Sequence, residues 1–255
     1  MRVMLGKVLA ERFRVRALPS HRKLLKTHKL AKLHPSMPLV RVTHDDYPQW
    51  RRPEELSRDK SRYSPWPVVF LVRDPRDVVV SLYFEQSRRV GKYVDKLRRR
   101  RSLADVRDRI APYRGALSDF VREDVGSVAS YLAFLDVWSD VPDTLVVRYE
   151  DLHAAPRAEL RRILEHFGVD GVRPELVEDA VRFASVGNLR RLEAEGAFRT
   201  HKLEPADPGD PESFKVRRGV VGGYRAYLDE GDIAWIESRM AAELDPRWGY
   251  APSRR

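Results

Sequence analysis

A chain of 255 residues with 48 Lys and Arg against 38 Asp and Glu, and no Cys, is long enough to bury one large core and excludes disulfides, thiolate metal sites and a cysteine nucleophile. The net charge of +10 is uneven, because residues 1–62 hold 16 basic against 6 acidic side chains and the remainder is balanced. This basic arm reads first as a solvated helical surface and second as an attractor for an anionic cofactor, with no nucleic-acid partner expected.

Helical spacing of Met4, Leu5, Val8, Leu9 and Phe13 predicts an opening helix, and residues 39–43 and 67–73 read as strands. A helix is expected over residues 77–97, then broken helical spacing over 103–120 with Pro112 and Gly115 inside it. Residues 127–138 predict an amphipathic helix with Val128, Leu132, Leu135 and Trp138 on one side. Thr144–Arg148 reads as a third strand, followed by helices over 157–167, Pro174–Phe183 and 232–244, while the Gly- and Pro-rich residues 204–211 read as a mobile loop. Strands separated by long helical connections predict an α/β fold of three layers, a central parallel sheet flanked by helices.

No linker or repeat divides the chain, so a single domain over residues 1–255 is expected. No apolar run reaches the length of a membrane span and no secretory leader opens the chain, which makes the cytoplasm the default location. The four arginines at 98–101 suit a helix end, and the histidines show no metal-ligand spacing, so no metal is expected. Neither a Walker A string nor G-x-G-x-x-G is present.

The most informative stretch runs from Phe70-Leu71-Val72 through Arg73-Asp74-Pro75-Arg76-Asp77 to Ser81, joining an apolar strand to a helix through a charged turn. Asp74 suits the helix cap, Pro75 its first position, and Arg73 and Ser81 place donors beside the free N–H groups where an anion belongs. Two later strings accompany it: Val146-Val147-Arg148-Tyr149-Glu150-Asp151-Leu152 and Phe214-Lys215-Val216-Arg217-Arg218-Gly219. Together the three, in this order, resemble the sulfotransferase family that uses 3'-phosphoadenosine 5'-phosphosulfate (PAPS). The resemblance implies the P-loop NTPase-like sulfotransferase fold and transfer of a sulfuryl group from PAPS to a hydroxyl or amine of an acceptor. It further implies that Arg73, Ser81, Arg217, Arg218 and Gly219 hold the 3'-phosphate and that Tyr149 and Ser185 neighbour the adenosine.

Removing the acceptor proton calls for a base. His44 resembles the family's T-H base and follows the strand expected at 39–43, at the carboxyl edge where open α/β sheets bind ligands. Lys26-Thr27-His28 is the rival, being the family's K-T-H string, and His44 is preferred for its closer approach to Arg73 along the chain. Two departures stand out. Ser185-Val186-Gly187-Asn188-Leu189-Arg190 has Val where relatives carry an aromatic residue, and Gly222-Gly223-Tyr224 stands where G-D-W is usual. The family's opening loop, resembling Y-P-K-S-G-T-T-W, is not found before Met1-Arg2-Val3-Met4-Leu5, so the domain is expected to be N-terminally incomplete. Two readings therefore stand at this point: a sulfotransferase, and a non-catalytic basic protein that keeps a nucleotide cleft or binds a polyanion.

Overall fold

The computed structural model describes residues 1–15 and 21–250. In chain order it contains helices α1 (Arg2–Arg12) and α2 (Thr27–Leu30), strand β1 (Val68–Val72), and helices α3 (Pro75–Phe84), α4 (Val94–Arg98), α5 (Leu117–Arg122) and α6 (Val128–Asp136). Strand β2 (Thr144–Arg148) follows, then α7 (Tyr149–Ala154), α8 (Pro156–His166), α9 (Pro174–Phe183), α10 (Val186–Ala194) and α11 (Glu230–Glu243), with short 3₁₀ turns between elements. The described residues fall into two compact units, one drawn from 1–43, 67–72 and 144–219 and the other from the rest.

In the first unit β1 and β2 pair in parallel, from Val68 opposite Thr144 to Val72 opposite Arg148. That is the pairing a long crossover connection requires. The apolar face of α1, with Met4, Leu5, Val8 and Leu9, forms one core with Val147 of β2, Leu160, Ile163 and Leu164 of α8, and Val177 and Ala180 of α9. Both α8 and α9 begin with proline, whose missing N–H has no intrahelical partner to lose there. Gly6 is required in α1, because a Cβ at that position would meet the carbonyl oxygen of Leu24 at 2.1 Å.

Residues 39–43, expected as a strand, form none. The Val40 N–H turns back onto the Pro38 carbonyl at 3.1 Å, and Thr27 Oγ1 donates to the Val40 carbonyl at 2.8 Å, so both groups a ladder would use are taken. Nor is there a buried alternate face, since Leu39 and Val42 are 57% and 42% exposed. The loop at 204–211 holds itself together: Ser213 Oγ donates to the Asp207 carbonyl at 2.5 Å and accepts the Asp207 N–H at 3.0 Å, and Asp207 Oδ1 accepts the Gly209 N–H at 2.8 Å.

In the second unit the helix expected over 77–97 is interrupted. Regular α3 ends at Phe84, a wider π-type turn occupies Glu85–Arg89, and a 3₁₀ turn at Val90–Lys92 precedes α4. Gln86 accounts for the interruption, because its carbonyl accepts the Tyr113 N–H at 3.2 Å and its amide Nε2 donates to the Gln49 carbonyl at 3.3 Å, bonds that lie outside the helix. Val128, Leu132 and Leu135 of α6 are buried as expected, and Trp138 is buried too although the helix ends before it, at Asp136. Trp50, Val90, Leu97, Leu103, Val106 and Ile110 make a further core cluster.

A buried ionic assembly follows residues 39–43. Asp45 accepts Lys60 Nζ at 2.7 Å, Tyr63 Oη at 2.6 Å and Trp138 Nε1 at 3.0 Å, pairs with Arg62, and Lys60 Nζ also reaches Asp46 at 2.9 Å. Here the backbone makes two consecutive left-handed residues, Asp46 at φ +53° and Tyr47 at φ +55°, a conformation that costs non-glycine residues about 1 kcal/mol or more each. Among the described residues no helix is long and apolar enough to cross a membrane.

Candidate nucleotide site

The turn after β1 is built as its sequence predicts. Asp74 caps α3 by accepting the Arg76 N–H at 2.9 Å, and Pro75 takes the first helical position. The same carboxylate binds the Arg76 side chain, with Nε at 3.0 Å and Nη2 at 2.6 Å, and Arg76 Nη1 reaches Glu237 at 2.6 Å. Burial works against the Arg76 charge, but the Asp74 hydrogen bond and charge outweigh it and raise its pKa above the ordinary arginine value. Tyr131 Oη clamps the residue between strand and helix, accepting the Arg73 N–H at 3.1 Å and donating to the Arg73 carbonyl at 3.0 Å.

From that clamp the Arg73 side chain runs to Asp77 Oδ2 at 3.2 Å and to the Val220 carbonyl at 3.1 Å. Ser81 lies further along the same helix, half-buried. Asp77 also accepts the backbone N–H groups of Gly222 and Tyr224, both at 2.9 Å, so the G-G-Y string keeps its place through main-chain donors. Asp77 carried no role in the sequence reading. An acidic residue in a first helical turn ordinarily complements the dipole from the surface, and nothing local signals a partner so far along the chain.

The late basic segment belongs to the first unit. Buried Glu193 accepts the N–H groups of Lys215 at 2.6 Å and Val216 at 2.8 Å. Arg190 donates to the Val216 carbonyl at 3.0 Å and to that of Arg217, with its guanidinium 4.6 Å from the Phe214 ring centre. Arg217 pairs with Glu212 at 2.8 Å, and Arg218 reaches the other oxygen of Glu212 at 4.0 Å. Gly219 adopts φ +62°, and a Cβ there would lie 2.6 Å from Val186 Cγ2, so the backbone approaches α10 closely.

Ser185, the exposed cap position of α10, directly precedes Val186, the residue that Gly219 approaches. Tyr149 opens α7 with its ring 4.5 Å from that of His153. Arg190 and Glu193 were missed as parts of this segment, although Arg190 closes a string that the sequence already singled out.

The two histidines differ in setting. His44 is exposed, its carbonyl accepts the Tyr47 N–H at 3.0 Å, and its neighbour Asp45 is the centre of the buried assembly. The strand that was to carry it is absent, so its placement rests on that turn. Burial would raise the Asp45 pKa, but hydrogen bonds from Lys60, Tyr63 and Arg62 hold it below the usual carboxylate value. His28, half-buried in α2, has its pKa lowered by desolvation and then by Lys29, Arg2, Arg41 and Lys26, all of which disfavour the charged ring. Among the described residues no group of three or more His, Asp or Glu is placed to hold a metal ion.

Residues 7–245 match the sulfotransferase domain family. Cytosolic sulfotransferase 7 of Arabidopsis thaliana is 26% identical over 179 residues, covering 67% of this chain and 49% of that protein. Cytosolic sulfotransferase 10 of the same plant is 24% identical over 190 residues, covering 69% and 49%. The chain spans about half the length of these curated relatives. Among solved structures, mouse sulfotransferase SULT7A1 complexed with PAP is 18% identical at a TM-score of 0.47, covering 69% of this chain and 57% of that one. Retinol dehydratase in complex with androsterone and inactive cofactor PAP is likewise 18% identical at 0.47, covering 73% and 48%. With the family matched from residue 7 to residue 245, across the charged turn, the Tyr149 string and the late basic segment, the chain belongs to the sulfotransferase domain family.

Proposed function

We propose that this protein is a PAPS-dependent sulfotransferase that transfers a sulfuryl group to a hydroxyl or amine of an acceptor and leaves 3'-phosphoadenosine 5'-phosphate (PAP). The family match over 7–245 carries the reading. Arg73, Ser81, Arg217, Arg218 and Gly219 are assigned to the 3'-phosphate, with Tyr149 and Ser185 beside the adenosine. Two features support a phosphate: the Arg73 guanidinium is anchored beside a capped helix start, and Gly219 has no side chain on a segment that also carries Arg217 and Arg218.

The donor supplies the sulfuryl group when bound. His44 is assigned as the base that accepts the acceptor proton as the new S–O or S–N bond forms and the bridging S–O bond breaks. Its exposed ring on an anchored turn supports that role. Cytoplasmic location is proposed with it, on the names of the relatives.

Incubation with PAPS and a panel of phenols, alcohols and amines tests the reading, with PAP release and acceptor sulfation followed together by mass spectrometry. Stoichiometric release of PAP with a sulfated product is the expected result. Selective PAP binding without any product would favour the non-catalytic nucleotide-binding alternative, and neither binding nor product would remove the function altogether.

A further inference from the structure

Asp77 is placed and partnered in a way that starting a helix does not require. Asp74 already caps α3, whereas the Asp77 carboxylate is 3% exposed and satisfied entirely from outside the helix backbone. Its Oδ1 accepts the Tyr224 N–H at 2.9 Å, and its Oδ2 accepts the Gly222 N–H at 2.9 Å and pairs with Arg73 Nη2 at 3.2 Å. The same Nη2 donates to the Val220 carbonyl at 3.1 Å, which closes a ring of bonds through Arg73, Asp77 and residues 220–224. Gly222 sits at φ +71° to present its N–H to this carboxylate.

A free arginine loses much rotamer freedom on gripping a ligand, whereas one already held in place has given it up during folding. An anionic carboxylate would repel a phosphate, so Asp77 cannot be a phosphate ligand itself. We propose that Asp77 is a positioning residue for nucleotide recognition: by holding the Arg73 guanidinium and the turn at 220–224 in one arrangement, it sets how strongly the protein prefers a nucleotide with a 3'-phosphate over one without. The inference rests on the donor-site reading above, in which Arg73 meets that phosphate.

Calorimetric titration of the full chain with PAP and with adenosine 5'-phosphate tests it. Asp77→Asn keeps one acceptor oxygen and turns an NH₂ toward groups that are themselves donors. PAP should bind about tenfold or more weakly to this variant, as loss of one charge-assisted bond implies, while adenosine 5'-phosphate changes by less than about twofold. Because Asp77 acts through Arg73, the double variant with Arg73→Ala should bind PAP no more weakly than Arg73→Ala alone. Asp77→Glu keeps the charge but moves the carboxylate by one methylene, and should show a smaller loss in the same direction should the Asn variant fail to fold.

Equal weakening of both nucleotides, additive losses in the double variant, or no loss in either Asp77 variant would overturn the inference and leave Asp77 as a structural brace. If Arg73→Ala left the ratio of the two affinities unchanged, or the wild type bound neither nucleotide, the donor-site reading would fall and the inference with it. Selectivity lost with Arg73→Ala but kept in both Asp77 variants sinks the inference alone.

Discussion

Among the described residues, the buried charged ones in the unit that carries Arg73, Ser81 and His44 are Asp45, Lys60, Arg76, Asp77, Arg89 and Asp232; in the unit that carries Tyr149, Ser185 and Arg217 they are Glu159 and Glu193. The latter unit has the apolar core of α1, α8 and α9. Buried ion pairs fix orientation but add little net stability, because desolvation offsets their attraction. Apolar packing adds stability without orienting a functional group. The candidate residues thus stand beside buried ion pairs in one unit, while in the other the late segment is bonded by Arg190 and Glu193 above an apolar core, so substitutions in each act on different contacts.

The sharpest contrast sets one histidine from each unit against the other. His44→Ala should lower kcat by about 10²–10⁴-fold with PAP affinity nearly unchanged, and His28→Ala should do little to either. Steady-state kinetics beside PAP titrations reads both, and the opposite pattern would move the base to His28. Next in size, Arg73→Ala should cost about 2–3 kcal/mol in PAP affinity, and because it also takes the cation from buried Asp77 and the donor from the Val220 carbonyl, it should lower the melting temperature as well.

Gly219→Ala, in the other unit, should act through the backbone instead. A Cβ at φ +62° and 2.6 Å from Val186 Cγ2 forces the segment away from α10, for a loss of about 1–3 kcal/mol in thermal stability together with weaker PAP binding. Melting left unchanged by this substitution would mean that the close approach to Val186 is not what holds the segment.

The smallest effect is a pH dependence in the charge-braced unit. Hydrogen bonds from Arg109 and from the Arg52 N–H lower the Glu55 pKa from 4.5 to about 2. A carboxylate depressed on folding contributes its stability in full above the unfolded value and loses it as pH falls through the folded one. Glu55→Gln should therefore melt below wild type by the small margin of a partly exposed pair, about 1 kcal/mol or less, and that margin should close between pH 4.5 and about pH 2. A margin constant across that range would mean that packing, not charge, joins Glu55 to Arg109.

Local signals made most elements legible. Apolar strands at β1 and β2, the Asp74 cap with Pro75 behind it, and the amphipathic faces of α1 and α6 are all written within a few residues of where they act. What failed depended on distant partners. Residues 39–43 have a strand's composition, but Thr27 takes the Val40 carbonyl. The helix through Glu85 has good periodicity, but Gln86 bonds to Tyr113 and Gln49. The motif positions around Arg73, Arg217 and Gly219 were legible, whereas the residues that hold them, Asp77, Arg190 and Glu193, work through bonds to backbone across 22 to 147 residues of sequence and leave no local mark.

The left-handed pair at Asp46 and Tyr47 bears on how this sequence can drift. Glycine or asparagine would suit those backbone angles better, yet glycine at 46 removes one of the two carboxylates that hold Lys60, and glycine at 47 removes the hydroxyl that accepts Arg100 Nη1 at 2.6 Å. Relief of strain and loss of a partner thus arrive in the same substitution. Descendants of this chain should change position 46 together with position 60, and position 47 together with position 100, so the turn that carries His44 evolves by paired exchange.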